Sequence, residues 1–217
     1  MQRIGQSWLV LRLTDSPLAL GVITAIQFTP VLLFSLFGGV LADRVPKRRL
    51  LITTQSVMLV QAVVLAVLTS TGLITLPTLY VLAAVLGISS ALDNPTRQAF
   101  VSEMVGPDQL PNAVALNSSQ FNSARLIGPG LGGLAIAAIG IAGCFYINAF
   151  SFVAVLGSLM LMRPSELFPP SRPPRGKVFP QIAEGMRYAV TTPDVFLVVM
   201  LMAVVGTFGT TSRSSCR

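Results

Sequence analysis

Apolar residues run through this chain in long blocks, and the polar residues are gathered into short breaks between them. Residues 18–41 form one block and 50–71 the next, with others beginning near Leu76, at Asn112 and at Ile141. About twenty apolar residues suffice for a helix to cross a bilayer core of roughly 30 Å, so each block predicts a membrane-spanning helix. The opening block, residues 4–13, reaches only about half that length before Thr14-Asp15-Ser16-Pro17 stops it. No small-x-small cleavage site follows, as a signal peptide requires. Residues 1–13 are therefore expected to be the outer half of a first helix whose beginning is absent.

The breaks alternate in charge. Between the second and third helices stand Asp43, Arg44, Lys47, Arg48 and Arg49, and every later break on the same side is cationic, through Arg97, Arg163, Arg172, Arg175, Lys177 and Arg187. The uncharged break at residues 72–75 falls on the opposite side. Short loops rich in Lys and Arg stay cytoplasmic, which orients the chain in a cell membrane with its basic loops inside. Three regions follow. Residues 1–162 form a transmembrane half, and residues 163–194 a basic, proline-rich cytoplasmic linker. Residues 195–217 form an incomplete seventh span with an aberrant tail. Within the linker, residues 181–192 place Ile182, Met186 and Val190 on one face of a helix suited to the inner membrane surface.

Composition agrees with a bilayer as solvent. Mean hydropathy is +0.74 with 11% charged residues, where a soluble domain has roughly a quarter. The net charge of +7 sits in loops rather than in a solvated patch with interleaved aromatics, which argues against nucleic acid. Two cysteines in unrelated contexts and no histidine give no disulfide framework, metal cluster or cofactor site. Ser118 and Ser123 have no evident base to activate them, so no enzyme activity is expected.

Polar residues inside the spans are the candidates for function. Ser118, Asn122 and Arg125 share one face of the fifth helix, continued by Pro129 and Gly132. Arginine near a helix centre costs about 3 kcal/mol on insertion scales, so this face is expected to look into the bundle, where Arg125 would attract an anionic group. Gln27, Asn122 and Asn148 are either cavity hydrogen-bonders or amides satisfied between helices. Asp93 is the acid in this half available to carry a proton. Gly128 and Gly132, four apart, offer a flat groove for a close neighbour, and Pro129 loosens the backbone beside it.

The run Gly39-x-x-x-Asp43-Arg44-x-x-Lys47-Arg48-Arg49 resembles the signature between the second and third helices of the major facilitator superfamily, with Pro46 where that signature has glycine. Gly128-Pro129-Gly130-Leu131-Gly132-Gly133 resembles a glycine-proline motif of its proton-coupled drug exporters. Asp93-Asn94-Pro95-x-Arg97-Gln98-Ala99-Phe100 is similar to the branch holding enterobactin exporters and macrolide-efflux-like proteins. The resemblance implies an all-α membrane protein: the six-helix N-terminal half of a major facilitator fold, a linker and the start of a seventh helix. It further implies secondary export of a small amphiphilic molecule coupled to H+, with the lipid bilayer and the substrate as partners; a chain that supplies one half could pair with a separately encoded C-terminal half. Gly39, Asp43, Arg44, Arg48, Arg49 and Arg97 would form the inner gate, with Asp43, Arg44 and Arg97 as its latch. Gly128, Pro129, Gly132 and Gly133 would serve packing and bending.

After Gly209 the chain turns polar. A slip of reading frame accounts for residues 210–217, since a shifted frame can encode an apolar continuation. The expectation is an N-terminal fragment, either a product that no longer transports or a half that needs a second chain. The topology itself is testable. With Cys144 and Cys216 replaced, cysteines introduced by Arg48→Cys and Arg172→Cys should react with an impermeant maleimide from the same face of sealed vesicles; labelling from opposite faces would refute the assigned orientation.

Overall fold

In a computed structural model, residues 2–163 and 167–168 are described, with backbone alone for residues 35–44 and 107. Every regular element among them is helical: α1 (Gln2–Thr14), α2 (Pro17–Arg44), α3 (Lys47–Ser70), α4 (Leu76–Met104), a 3-10 turn (Pro107–Gln109) and α5 (Leu110–Leu161). Four of the five α-helices, α2 to α5, are long and apolar enough to cross a membrane. At 13 residues, α1 rises only about 20 Å, short of a full span as its sequence indicated. The predicted linker, amphipathic helix, seventh span and tail lie outside the described residues.

The breaks work as local chemistry dictates. Asp15 takes a left-handed φ of 47°, which aspartate tolerates better than most residues, and Pro17 opens α2 where its missing N–H costs nothing. Only Val45 and Pro46 separate α2 from α3. Pro46 makes this reversal without the glycine of the superfamily signature: its φ of −53° is the one proline prefers, and its carbonyl accepts the N–H groups of Arg49 and Leu50 at 2.9 and 3.2 Å. At the far end of α3, Gly72 turns the chain with φ +72°.

At 52 residues, α5 would be about 78 Å long if straight, far more than a bilayer core. Gly140 divides it, with φ 75° and ψ 175°, a region essentially reserved for glycine. The contacts show that the chain reverses there. Tyr146 meets Ser70 at the last turn of α3, hydroxyl to hydroxyl at 3.2 Å. Arg48, at the first turn of α3, donates to the carbonyls of Leu159 and Met160. Gly140 thus divides α5 into two arms, and the second runs antiparallel to α3.

Two apolar clusters hold the helices together. The larger lies toward the α1–α2 turn and contains Leu9, Val10, Ile23, Leu65, Leu79, Ile141 and Phe145. The smaller, around Leu51, Phe100 and Leu159, lies at the opposite end. Close approach depends on two glycines that the sequence did not advertise. A Cβ at Gly5 would stand 2.7 Å from the Phe145 ring, and one at Gly87 would stand 2.9 Å from the Gln27 carbonyl and 3.1 Å from that of Ile26. Pro30 has no N–H to return to Ile26, so α2 exposes that carbonyl where the bare backbone of α4 passes.

Gly87→Val should therefore force α2 and α4 apart and cost about 1–3 kcal/mol. Gly21→Val is its control, because a Cβ there meets nothing within 4 Å. Thermal unfolding in detergent should separate the two variants, and equal midpoints would contradict the assigned contact.

Candidate functional site

Between the two apolar clusters lies a layer of buried amides. Asn148 donates to Gln2 Oε1 at 2.7 Å, Gln2 Nε2 donates to Gln61 Oε1, and Gln61 donates to the Leu82 carbonyl at 3.1 Å. Gln27 donates to Gln6 Oε1 at 2.6 Å. Gln27 and Asn148 each hydrogen-bond an amide of α1, and Gln27 also borders an opening between α1 and α2. Gln2 and Gln6 were not singled out from sequence, although their spacing of four puts both on one face of α1. That face is the inner one, and Gln6 is fully buried.

Asp93 is the centre of a second polar group. It is 3% exposed, and its Oδ1 accepts hydrogen bonds from Thr54 Oγ1 at 2.9 Å and Gln55 Nε2 at 2.8 Å. Its Oδ2 pairs with Arg97 at 3.1 Å, one turn along α4. Burying a carboxylate is tolerable only when its charge and lone pairs are met, and here two helices meet them. Gln55 Oε1 is itself buried without a hydrogen-bond partner among the described residues. Thr54 was invisible to sequence reading because threonine is common in apolar helices, and nothing in the position of Gln55 names its partner.

Arg97 faces two ways. Its side chain is 52% exposed and borders a cleft of about 410 Å³ between α4 and the first arm of α5, together with Asn94, Asn117, Ser118, Phe121 and Asn122. The structure therefore brings Arg97, Ser118 and Asn122 to one opening. Arg125 is exposed one turn beyond and does not line it. In the glycine-proline motif, Gly132 is buried while Pro129 is exposed, and a Cβ added at Gly128 or Gly133 would meet nothing within 4 Å.

At the basic end, Lys47 and Glu103 form an ion pair of 2.6 Å with side chains 9% and 13% exposed. Arg48 Nε reaches the Leu159 carbonyl at 2.8 Å and its Nη2 the Met160 carbonyl at 3.0 Å, so a cation caps the negative end of α5. Arg49 is exposed. Gly39, Asp43 and Arg44 lie in the last turns of α2, and their side chains fall outside the described residues. Glu103 was missed from sequence; an acid in the last turn of a helix opposes the macrodipole, and only the fold supplies the cation that makes it favourable.

Residues 1–215 match the family described as transmembrane secretion effector. A staphyloferrin A transporter of Staphylococcus aureus is 33% identical over 161 residues, 73% of this chain and 41% of that protein. An uncharacterized MFS-type transporter, YfiS of Bacillus subtilis, is 28% identical over 196 residues, 89% of this chain and 46% of the relative. The multidrug efflux pump Tap of Mycolicibacterium fortuitum is 27% identical over 192 residues, 86% and 47% respectively. The chain thus spans less than half the length of each of these relatives. With its apolar helices and a family match over nearly its whole length, this multi-pass membrane protein belongs to the transmembrane secretion effector family of the major facilitator superfamily.

Proposed function

We propose that the chain is the six-helix N-terminal half of a secondary active exporter in the cell membrane, moving a small amphiphilic molecule outward in exchange for protons that enter down their gradient, with its basic loops cytoplasmic. The observation that carries this reading is the Asp93 group. A buried carboxylate, held by donors from a neighbouring helix and by an arginine that reaches an open cleft, is an element with two states. Ionised, Asp93 keeps Arg97 in place. Protonated, it loses the charge that holds Arg97 and becomes a donor, for which the unpartnered Gln55 Oε1 is a ready acceptor after a turn of the amide. Arg97 is then free for the latch with Asp43 and Arg44, beside the gate residues Gly39, Arg48 and Arg49.

Other site residues take roles consistent with their positions. Arg125 stands fifteen residues from Gly140, about 22 Å along the first arm of α5, which puts it within the hydrocarbon span on its inner side. Asn122 lies one turn away on the same arm and supplies hydrogen bonds in the cleft. Gln27 and Asn148 fix the helices around it. Gly128, Pro129, Gly132 and Gly133 leave the arm thin and bendable, with room for a further helix. Alternating access needs two halves rocking about a shared site, so this half works with a second one, supplied in the same or a separate polypeptide.

Gradient-driven uptake of a dansyl amphiphile into everted vesicles tests the coupling, in vesicles that hold this chain together with a separately made second half. Asp93→Asn should cut the gradient-driven rate by at least about tenfold while leaving downhill exchange intact, because it removes the proton site and not the cavity. A native rate in Asp93→Asn would overturn the role given to Asp93.

A further inference from the structure

A second opening lies away from the Asp93 group, between α1 and α2. It is a cleft of about 310 Å³ bordered by Arg3, Ser7, Trp8, Thr24, Gln27 and Phe28. The guanidinium of Arg3 sits 4.9 Å from the centre of the Phe28 ring, and Trp8 and Phe28 are 52% and 47% exposed.

Depth makes this cleft unusual. Arg3 precedes the end of α1 at Thr14 by eleven residues, about 17 Å of helix, which places its cation near the middle of a bilayer core of about 30 Å. No carboxylate meets it among the described residues. Asp15 lies twelve residues away past the end of α1, and Asp93 is already engaged by Thr54, Gln55 and Arg97. An aromatic face attracts a cation but carries no net charge to neutralise it. Among the described residues the result is a positive charge on an aromatic shelf with no carboxylate beside it, at a depth that no lipid headgroup occupies.

We propose that Arg3, Trp8 and Phe28 form a binding site for an organic anion with a flat apolar body: the anionic group meets the Arg3 guanidinium while the flat portion lies against the indole and phenyl rings. Arg3 was not among the sequence-derived candidates, and the site deepens the transporter reading, on which it rests, by naming a substrate class. A cationic amphiphile of the same shape is disfavoured there, because it finds the same rings but a like charge.

The chain contains a single tryptophan, Trp8, so energy transfer from it reports occupancy of this cleft. The full chain in phosphatidylcholine nanodiscs is titrated with dansylglycine, an anion, and with dansylcadaverine, which carries the same fluorophore on a cation. Dansylglycine should bind saturably and at least about tenfold more tightly than dansylcadaverine, Arg3→Gln should erase that difference, and Arg3→Lys should restore most of it. Equal affinity for the two probes in the native chain, or dansylglycine binding indifferent to Arg3→Gln, overturns the proposal. So does a loss in Arg3→Gln that Arg3→Lys fails to recover, since that would mark damage to the fold. Transport is not read in this assay. Charge-selective binding by a chain that moves nothing with any second half leaves the site standing and removes the transporter reading. Gradient-driven uptake alongside Arg3-indifferent binding removes the site alone.

Discussion

Inside a bilayer no water is at hand to satisfy a side chain, so a buried amide or carboxylate depends on partners supplied by the protein itself. That constraint organises this bundle. Asp93 binds α4 to α3 through Thr54 and Gln55. Gln2 bridges α1 to α3 and to the second arm of α5, and Gln6 receives α2 through Gln27. Apolar packing at the two ends brings the helices near one another, but lipid is as apolar as leucine and gives little reason to prefer one rotation of a helix over another. The amide layer makes that choice, since turning a helix by a quarter would leave several polar groups unmet.

The same layer explains how the short α1 holds its place. Its 13 residues present Leu9 and Val10 to the larger apolar cluster and Gln2 and Gln6 to the amide layer, while Gly5 admits the ring of Phe145 between them. Apolar contact, amide contact and close approach are thus stacked along one face within three turns. The opposite face carries Arg3 and Trp8 toward the cleft with α2.

Much of this architecture was legible in the sequence because hydropathy in long blocks has few structural solutions. The stops at Thr14–Pro17 and at Val45–Pro46, the start of α4 near Leu76 and the break before Ile141 all fall within a few residues of their expected places. Pair identity was not legible. Asp93 stood out as an acid in an apolar span, yet nothing in the spacing says that Thr54 and Gln55, some forty residues earlier in the chain, will meet it. Gly128 and Gly132 drew attention through their motif, whereas the tight crossing falls at Gly87, which lies in no motif, because glycine's use there depends on a carbonyl that Pro30 leaves open in a different helix. Arg3 was not read as a site, because nothing in the spacing says that Phe28 of α2 will meet it.

Gly140 bears on how the protein enters its membrane. Between Arg125 and Arg163 there is no charged side chain, and the reversal at Gly140 uses one residue in place of a polar loop. The two arms can thus leave the translocation machinery as a ready-made hairpin, with no hydrated connector to be dragged across the hydrocarbon. Only a few backbone groups of the turn then need crossing.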